Sequence, residues 1–400
     1  MKSAVKQRLF LAAVLFFMLL SFAGLEAQAR TLKLGYLDPL SGPAAGYGIP
    51  CKEGVMMAME EINETGGLNI GGEKIKIELE IGDTGGKGTE AVNIIEKFIN
   101  RDGIKIILGD LLSSSSLAWA PVIERYQGKV MALNYASAPA IAKNHPHIFN
   151  TKAPNSQYNE NGRYVAKKLG LKRMVMLVQS DDFGETIRRG VGENYEKNGG
   201  KIIATKYFNV QDTDFYTQLT AIKSLDFDVL YVAGIAPAAL FIFKQAKELG
   251  IKQNLVGGQA TGEKDVLKKF KCADVEGVYD LATPAEALMQ TGRKQAVLIA
   301  DKYLKKYGKD ISALAIYGYE SMKILAAGLE KGGSIDDIPK IMNGLHQLKV
   351  KDIDHMTLYA RKVAPGTKDL VFDQHRQSYL RIVAAQWKDC RVKFAGFIED

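Results

Sequence analysis

Two hydrophobic periods alternate along the chain. Period-two stretches such as Lys74–Ile81 (KIKIELEI) predict half-buried strands, and short apolar runs such as Val229–Ala233 (VLYVA) predict fully buried strands. Between them, segments such as Thr89–Asn100 and Ala238–Leu249 place apolar residues three and four positions apart, which predicts amphipathic helices. Alternation of strands and helices with short Gly-rich turns predicts parallel sheets covered by helices on both faces.

The predicted elements form one series before residue 152, a second series after it, and a C-terminal part in which helices precede strands. The predicted strands are Lys33–Leu37, Lys74–Ile81, Lys105–Leu108, Val130–Asn134, Met174–Val178, Ile202–Phe208, Val229–Ala233, Asn254–Gly257, Met356–Tyr359, Ser378–Gln386 and Val392–Phe397. The predicted helices are Glu53–Ile62, Thr89–Asn100, one after the serines at 113–116, Tyr158–Leu169, Thr186–Lys197, Phe215–Ser224, Ala238–Leu249, Arg293–Tyr307, Ser312–Lys331 and Ile335–Leu345.

The restart of the strand–helix series near residue 152 predicts two parallel sheets, and therefore two lobes. We assign residues 31–152 and 280–345 to lobe 1, and residues 153–279 and 346–400 to lobe 2. The C-terminal part can pack back onto both lobes, and each crossing would then act as a hinge strand. Ligands of open α/β sheets bind beyond the carboxyl ends of the strands, so two facing lobes predict a ligand cleft.

The N-terminal residues predict an export signal. Three basic residues precede the apolar stretch Leu9–Leu25, and Ala27-Gln28-Ala29 then offers the small residues that a signal peptidase needs. The alternative is a membrane anchor, but about 17 apolar residues are at the short limit for spanning a bilayer. We therefore expect cleavage after Ala29 and a mature protein outside the cytoplasm.

Composition and cysteine usage narrow the possibilities further. The 400 residues are 46% hydrophobic and 24% charged, a globular composition with room for two or three domains. The formal net charge is +8, but no dense basic block is present, so we expect no nucleic-acid partner. Cys51, Cys272 and Cys390 lack metal or redox spacing. Two of them could pair in an oxidising compartment, but we expect buried free thiols.

The loops that follow the predicted strands are the candidates for function. They are residues 41–48, 110–116, 135–139, 181–185, 234–237 and 258–261. These loops contain many small hydroxyl residues, aromatic residues and glycines, few acids and no histidine. Such a set suits a small molecule held by backbone amides and hydroxyls, and does not suit acid–base chemistry. We therefore expect no catalytic residue and no enzyme.

Motifs that would contradict this expectation are absent or weak. The G-x-S-x-G motif of hydrolases is missing. Gly85–Thr89 (GGKGT) departs from the phosphate-loop spacing, and a Gly-rich turn before a helix capped by Thr89 is the better interpretation. His145 and His147 have no further ligands at recognisable spacing, so we expect no metal. Asp181 and Asp182 are adjacent and suit helix or turn capping better than a carboxylate pair.

The run Ser113–Ser116 lies between a buried strand and an apolar helical segment, where a flexible linker would not normally occur. Serines at a helix start can cap the helix, and the exposed amides and helix dipole favour a negative group there.

Several motifs resemble one family. LSGPAAGYG, GDLLSSSS, YASAP, DFGE and Phe372-Asp373 occur in the order found in type I periplasmic binding proteins. Over residues 31–400 the chain is similar to the leucine/isoleucine/valine-binding branch. The resemblance implies two Rossmann-like lobes joined by three hinge crossings, which close over a ligand. It also implies a cofactor-free, monomeric partner of an inner-membrane ABC permease.

The resemblance also implies a set of ligand contacts. These are Tyr47, Leu111, Ser113, Ser114, Tyr135, Ser137, Phe183, Ile235 and Gln259. Ser113 would bind the ligand's carboxylate through its hydroxyl and backbone N–H, with Ser114 as a second donor. Ser115 or Ser116 would then cap the helix. Tyr135 would contribute its carbonyl, and Phe183 replaces the tyrosine that is usual in the family.

Gln259 and Ile235 depart from the family pattern. Amino-acid binders usually place an acid where this chain has Gln259, and an aromatic residue where it has Ile235. A carboxylate forms a charge-assisted bond with the ligand's ammonium, and its loss weakens the case for an α-amino acid. Glu263 or Asp181 could substitute. Two ligand classes stay open: a branched-chain or related amino acid, and an aromatic or aliphatic acid without an amino group. A ligand-sensing receptor module of the same fold is the alternative role.

Overall fold

The computed structural model describes residues 30–209, 211–258 and 268–400, and places the strands in two large sheets. The first sheet contains β1 (Thr31–Asp38), β2 (Leu68–Ile70), β3 (Glu73–Asp83), β4 (Ile106–Leu108), β5 (Met131–Asn134) and β6 (Ile148–Asn150). Its strand order is β2-β3-β1-β4-β5-β6. All pairings are parallel except that of the edge strand β2 with β3.

The second sheet repeats this plan and adds C-terminal strands. It contains β7 (Arg173–Gln179), β8 (Lys201–Phe208), β9 (Val229–Ala233), β10 (Asn254–Gly257), β11 (Tyr279–Asp280), β14 (Val383–Lys388) and β15 (Arg391–Phe397). The order is β15-β14-β11-β10-β9-β7-β8, with β14 and β15 antiparallel. The short strands β12 (Arg361–Lys362) and β13 (Tyr379–Leu380) form a separate pair. The predicted α/β class with two doubly wound lobes is confirmed.

Helices connect the strands. They are α1 (Ala45–Glu64), α2 (Gly88–Asn100), α3 (Ser113–Arg125), α4 (Ala140–Asn144), α5 (Glu160–Arg163), α6 (Asp182–Lys197), α7 (Tyr216–Lys223), α8 (Ala238–Glu248), α9 (Cys272–Val275), α10 (Ala285–Met289), α11 (Lys294–Tyr307), α12 (Ala313–Gly332), α13 (Ile338–His346) and α14 (Val350–Ile353). Strands such as β5 and β9 are buried at every position, as their continuous apolar runs predict. Within the described residues, no helix has the length and apolar character needed to cross a bilayer.

Helix α12 is fixed to lobe 1 by a close approach to α1. A Cβ atom at Gly54 would lie 1.9 Å from the carbonyl oxygen of Ala315, and one at Gly318 would lie 2.1 Å from that of Cys51. Neither space can hold a side chain, so both glycines are required for the two backbones to touch. Part of the C-terminal half of the chain is thereby built into the first lobe.

The chain crosses between the lobes three times, after β6, after α10 and at β13. Helix α10 packs on β14 and β15, and Thr283 bonds to the backbone of Val383. Residues 346–378 instead contact lobe 1, for example through Phe372 and Phe149, whose ring centroids are 5.0 Å apart. On these contacts we propose that lobe 1 takes residues 291–378, in place of 280–345, as its C-terminal part.

Three predicted segments differ from the structure. The strand predicted over Ser378–Gln386 is divided between β13 and β14, which belong to different sheets. The loop predicted over residues 41–48 ends early, because α1 begins at Ala45 and includes Pro50. The strand predicted over Met356–Tyr359 is wrong. That segment is irregular because the carboxylate of the buried Glu320 accepts the backbone N–H groups of Leu358 and Tyr359, at 2.6 and 2.7 Å.

The expectation of free thiols is also wrong for two of the three cysteines. Cys272 and Cys390 form a disulfide across a sequence separation of 118 residues, joining α9 to the β14–β15 hairpin. Cys51 is a buried free thiol on α1. The sequence could not reveal the pairing because the two partners meet only after the C-terminal hairpin joins the second sheet.

Candidate functional site

A cavity of about 430 Å³ lies between the lobes at the carboxyl ends of their strands. It is lined by Tyr47, Leu111, Leu112, Ser113, Ser114, Leu117, Ser137, Ala138, Pro139, Ala140, Lys152, Asn155, Gln179, Asp181, Phe183, Glu185, Thr186, Arg189, Ile235 and Leu314. Seven of the nine predicted ligand contacts are therefore brought together here, from segments as far apart as Tyr47 and Ile235.

The serine loop of lobe 1 is held from below by two buried carboxyl groups. Asp38, at the end of β1, accepts the backbone N–H of Leu111 at 2.9 Å and the hydroxyl of Tyr36 at 2.5 Å. Asp110 accepts the backbone N–H of Leu112 at 2.9 Å. Both carboxyl groups are fully buried. The loop is thus shaped by side chains rather than by a regular backbone ladder.

Asn134, at the end of β5, completes this support. Its side-chain amide donates to the carbonyl groups of Gly109 and Asp110 at 3.2 and 3.0 Å, and to the Ser116 hydroxyl at 2.9 Å. Gly109 is required here, because its φ is +124° and a Cβ would lie 2.0 Å from the carbonyl oxygen of Leu37. The loop is therefore held in one defined conformation.

The predicted capping role of Ser115 or Ser116 is wrong. Helix α3 begins at Ser113, and no side chain caps it. Ser115 donates to the Asp110 carboxylate at 2.5 Å, and Ser116 bonds to Asp110 and Asn134 within the core. Both hydroxyls are buried beneath the loop, where they form hydrogen bonds with Asp110 and, for Ser116, also with Asn134. Thr89 likewise does not cap α2, which begins at Gly88 with Lys87 in the N-cap position.

Ser113 and Ser114 remain available to a ligand. Ser113 is half-buried and Ser114 is exposed, and both line the cavity at the first turn of α3. Among the described residues, neither hydroxyl has a hydrogen-bond partner. The first amides of a helix have no acceptor within the helix, and its dipole is positive at that end. This corner of the cavity therefore suits a carboxylate.

Burial sets the protonation of the carboxyl pair beneath the loop. It raises the pKa of Asp110 to about 6 and raises the pKa of Asp38 well above its ordinary value. The negative charge of Asp110 raises the pKa of Asp38 further, while hydrogen bonds from Tyr135 and Tyr36 oppose the shift. Burial therefore favours the retention of a proton by this pair.

Lobe 2 contributes a wall whose acids are already engaged. Asp181 caps α6 by accepting the backbone N–H of Gly184 at 2.9 Å, which confirms its predicted capping role. The Gln179 amide donates to the other Asp181 oxygen at 2.5 Å. Glu185 pairs with Arg188 at 2.5 Å. Phe183 and Ile235 supply the apolar part of this wall.

Tyr47 connects the two walls. Its hydroxyl donates to the carbonyl oxygen of Ala236, in the loop after β9. Burial raises the pKa of the Tyr47 hydroxyl, so it stays protonated and able to donate. In this structure the two lobes thus touch across the mouth of the cavity.

Two predicted contacts need separate comment. Tyr135 does not line the cavity, because its ring is fully buried and its hydroxyl donates to Asp38. The role expected of its carbonyl stays a prediction. Gln259 lies outside the described residues, as does Glu263, so the predicted departure at Gln259 also stays a prediction.

Lys152 is the residue that sequence reasoning missed. It follows β6, lines the cavity and is only 5% exposed. Burial lowers its pKa to about 8, and the nearby Cys51 thiol partly opposes the shift. Lys152 lies in the loop after the strand Ile148–Asn150, and recognising that strand would have made it a candidate. The strand has only three residues, which is too short for its period to be read from the sequence.

The two histidines considered as metal ligands, His145 and His147, each bond to a neighbouring group of the protein. His147 bonds to Glu124 at 2.6 Å through Nδ1, and His145 bonds to the carbonyl of Ile141 at 2.8 Å. Across the described part of the chain, no group of three His, Cys, Asp or Glu residues is arranged to hold a metal ion.

Comparison with known proteins gives the family. The model of the family described as "Periplasmic binding protein" matches residues 31–376, so the chain belongs to this family. The chain is 29% identical, over 79% of its length and 82% of the other, to the leucine-, isoleucine-, valine-, threonine- and alanine-binding protein of Pseudomonas aeruginosa. The family acts outside the cytoplasm.

Solved structures show the same fold. One is the branched-chain amino acid transporter substrate binding protein LivJ of Streptococcus pneumoniae in complex with isoleucine. It has a TM-score of 0.77 and 22% identity, and the match covers 92% of this chain and 99% of that one. Another is an ABC transporter solute binding protein of Rhodopseudomonas palustris in complex with 3,4-dihydroxybenzoic acid. Its TM-score is 0.75 with 19% identity, covering 92% and 97%.

Proposed function

We propose that this protein captures a small carboxylate solute between its lobes and delivers it to an ABC permease in the membrane. The observation that carries the proposal is the first turn of α3. Ser113 and Ser114 present hydroxyls and helix-start amides to an interlobe cavity of about 430 Å³. Phe183 and Ile235 close the cavity from lobe 2, and hinge movement at the three crossings would admit and enclose the solute.

The relatives support this role and leave the ligand class open. A curated relative is named for the binding of leucine, isoleucine, valine, threonine and alanine, and a solved relative contains isoleucine. Another solved relative contains a dihydroxybenzoic acid. All these ligands carry a carboxylate, which is the group that the α3 corner suits. Transport is favoured over a sensing role because the solved relatives are described as transporter components.

The remaining attributes follow from this proposal. Residues 1–29 act as an export signal that is removed before Arg30, and the mature protein works in the periplasm as a monomer. It binds its solute without chemical change and without a cofactor. Intact mass measured on protein secreted to the periplasm tests the cleavage site, and a mass that retains residues 1–29 would contradict it.

Substitution of Ser113 tests the carboxylate site. Ser113→Ala removes one hydroxyl donor to the ligand, and we expect at least a tenfold loss of affinity, since a hydrogen bond to a charged group contributes about 1.5–3 kcal/mol. Isothermal titration calorimetry with leucine, isoleucine, valine and benzoate measures it.

The matched control is Ser224→Ala, on the exposed end of α7, which should leave affinity unchanged. Equal affinities for wild type and Ser113→Ala would return the serine to a purely structural role.

A further inference from the structure

Lys152 is a buried cation that lines the cavity at the first crossing between the lobes. Its backbone is fixed from the third crossing, because the Gln377 side chain donates to the Lys152 carbonyl at 2.6 Å. The preceding carbonyl, of Thr151, accepts from the buried Arg361 guanidinium at 2.6 Å. Lys152 therefore lines the cavity from a backbone that is held in place at the hinge.

The positive charge of Lys152 is met by an aromatic ring rather than by an acid. The ammonium lies 4.8 Å from the ring centroid of Tyr317, which in turn stacks on Tyr359 at 5.4 Å. Among the described residues, no carboxylate lies within ion-pair distance of this ammonium. A cation–π contact offsets only part of the cost of burying a charge. Burial lowers the pKa of Lys152 to about 8, in keeping with this deficit.

The described acids of the cavity do not compensate for this cation. Asp181 accepts from Gly184 and Gln179, and Glu185 pairs with Arg188 on its own helix. Both acids belong to lobe 2, whereas Lys152 is on lobe 1. A second cation, Arg189, also lines the lobe 2 wall. The described lining therefore favours a negatively charged occupant.

We propose that Lys152 is a specificity-determining residue that holds an anionic group of the solute, so that the cleft selects carboxylic acids lacking an ammonium group. The inference rests on the proposed function and narrows it from carboxylates in general to one charge class. An α-ammonium would share a small, desolvated cavity with the Lys152 ammonium, and the repulsion between them disfavours zwitterionic amino acids.

Matched pairs of acids test the proposal by calorimetry. The pairs are L-leucine with 4-methylpentanoate and L-phenylalanine with 3-phenylpropanoate, which differ only in the amino group. We expect the acid without the amino group to bind wild type at least tenfold more tightly in the pair that fits. Lys152→Met should weaken that acid at least tenfold, and Lys152→Arg should restore part of the loss.

The control is Lys105→Met, at an exposed position of lobe 1, which should change nothing. Thermal unfolding checks each variant, and Lys152→Met should fold at least as stably as wild type because it removes a buried charge. Tighter binding of the amino acids, or an unchanged affinity in Lys152→Met, would overturn the inference. If such binding were still sensitive to Ser113→Ala, the proposed function would stand. No binding of any of these acids or of benzoate to wild type would overturn both.

Discussion

The lobe 1 wall of the cleft rests on a buried polar network, whereas the two described acids of the lobe 2 wall lie nearer the surface, at the start of one helix. In lobe 1, Asp38, Asp110 and Asn134 are fully buried and hold the serine loop from beneath. In lobe 2, Asp181 is exposed and Glu185 is half-buried, and both bond close by in sequence.

This difference indicates that the two walls have different roles in ligand binding. A buried network that is fully bonded fixes one conformation, so the lobe 1 wall is organised before a ligand arrives. The lobe 2 wall adds mainly apolar surface, through Phe183 and Ile235, and can contact the ligand when the lobes close. We therefore expect the ligand's carboxylate to dock on lobe 1 first. Four changes test the comparison, in order of decreasing effect.

Removal of the disulfide should have the largest effect, and should fall on lobe 2. Replacing Cys272 and Cys390 by Ser frees a loop of 118 residues in the unfolded chain. We expect a loss of about 3–5 kcal/mol in the free energy of unfolding. Urea denaturation measures it, with dithiothreitol as the control, since the reductant should destabilise wild type and not the variant. Hydrogen exchange that rises equally in both lobes would contradict the assignment to lobe 2.

Asn134→Ala should disrupt the lobe 1 wall. The change removes three donated bonds and the acceptor of the Ala136 N–H, and leaves buried carbonyl groups unpaired. We expect the free energy of unfolding to fall by about 2–4 kcal/mol and ligand affinity to fall with it. Asn144→Ala, at an exposed position of the same lobe, is the matched control. A stability loss with affinity intact would show that the loop does not need this support.

The pH dependence of stability should have opposite signs in the two lobes. Burial raises the folded pKa of Asp110 to about 6, so the folded state keeps a proton that the unfolded chain releases. Its contribution to the free energy of unfolding therefore falls, by on the order of 2 kcal/mol, as the pH rises from about 4 to about 6. In lobe 2, a hydrogen bond from Arg173 lowers the pKa of Asp228, whose contribution is instead lost as the pH falls through that lowered pKa.

Asp110→Asn and Asp228→Asn separate these two effects. Denaturation of wild type and both variants at several values between pH 3 and pH 7 gives the difference at each pH. Relative to Asp110→Asn, wild type should lose stability as the pH rises. Relative to Asp228→Asn, it should gain. The same slope for both variants would show that the lobes do not differ in this respect.

Asp181→Ala should have the smallest effect. The variant loses the cap of α6, which costs about 1 kcal/mol in the free energy of unfolding. Because this acid is committed to its own helix, we expect ligand affinity to change less than threefold. Asp301→Ala, exposed on α11, is the control. A tenfold loss of affinity would mean that Asp181 contacts the ligand, as the sequence had left open.

The fold was predictable because its signals are local. Short apolar runs gave β9 and β10 their observed bounds, and periods of two and of 3.6 residues, with glycine at the turns, placed most other elements to within a few residues. Segments whose backbone groups bond to distant side chains were mispredicted. The clearest case is Met356–Tyr359, where a buried Glu320 takes the backbone amides that a strand would have paired.

The order of the strands along the chain also predicted the position of the site. Loops after parallel strands meet at one edge, so Tyr47, Ser113 and Phe183 could be expected in one cavity from their positions alone. What each group does inside that cavity required the tertiary structure. Ser115 and Ser116 have the same residue type as Ser113, but Asp110 and Asn134 bury them.

The sequence by itself thus determined the class of fold, the lobe edges that face each other and the position of Ser113 and Ser114 at one of these edges, because these follow from periodicity and chain order. Only the tertiary structure decided the disulfide partner, the buried support of the loop and the position of Lys152. Each of these depends on segments that are more than 70 residues apart in the chain and meet only on folding, such as Lys152 with Tyr317 and Asp38 with Leu111.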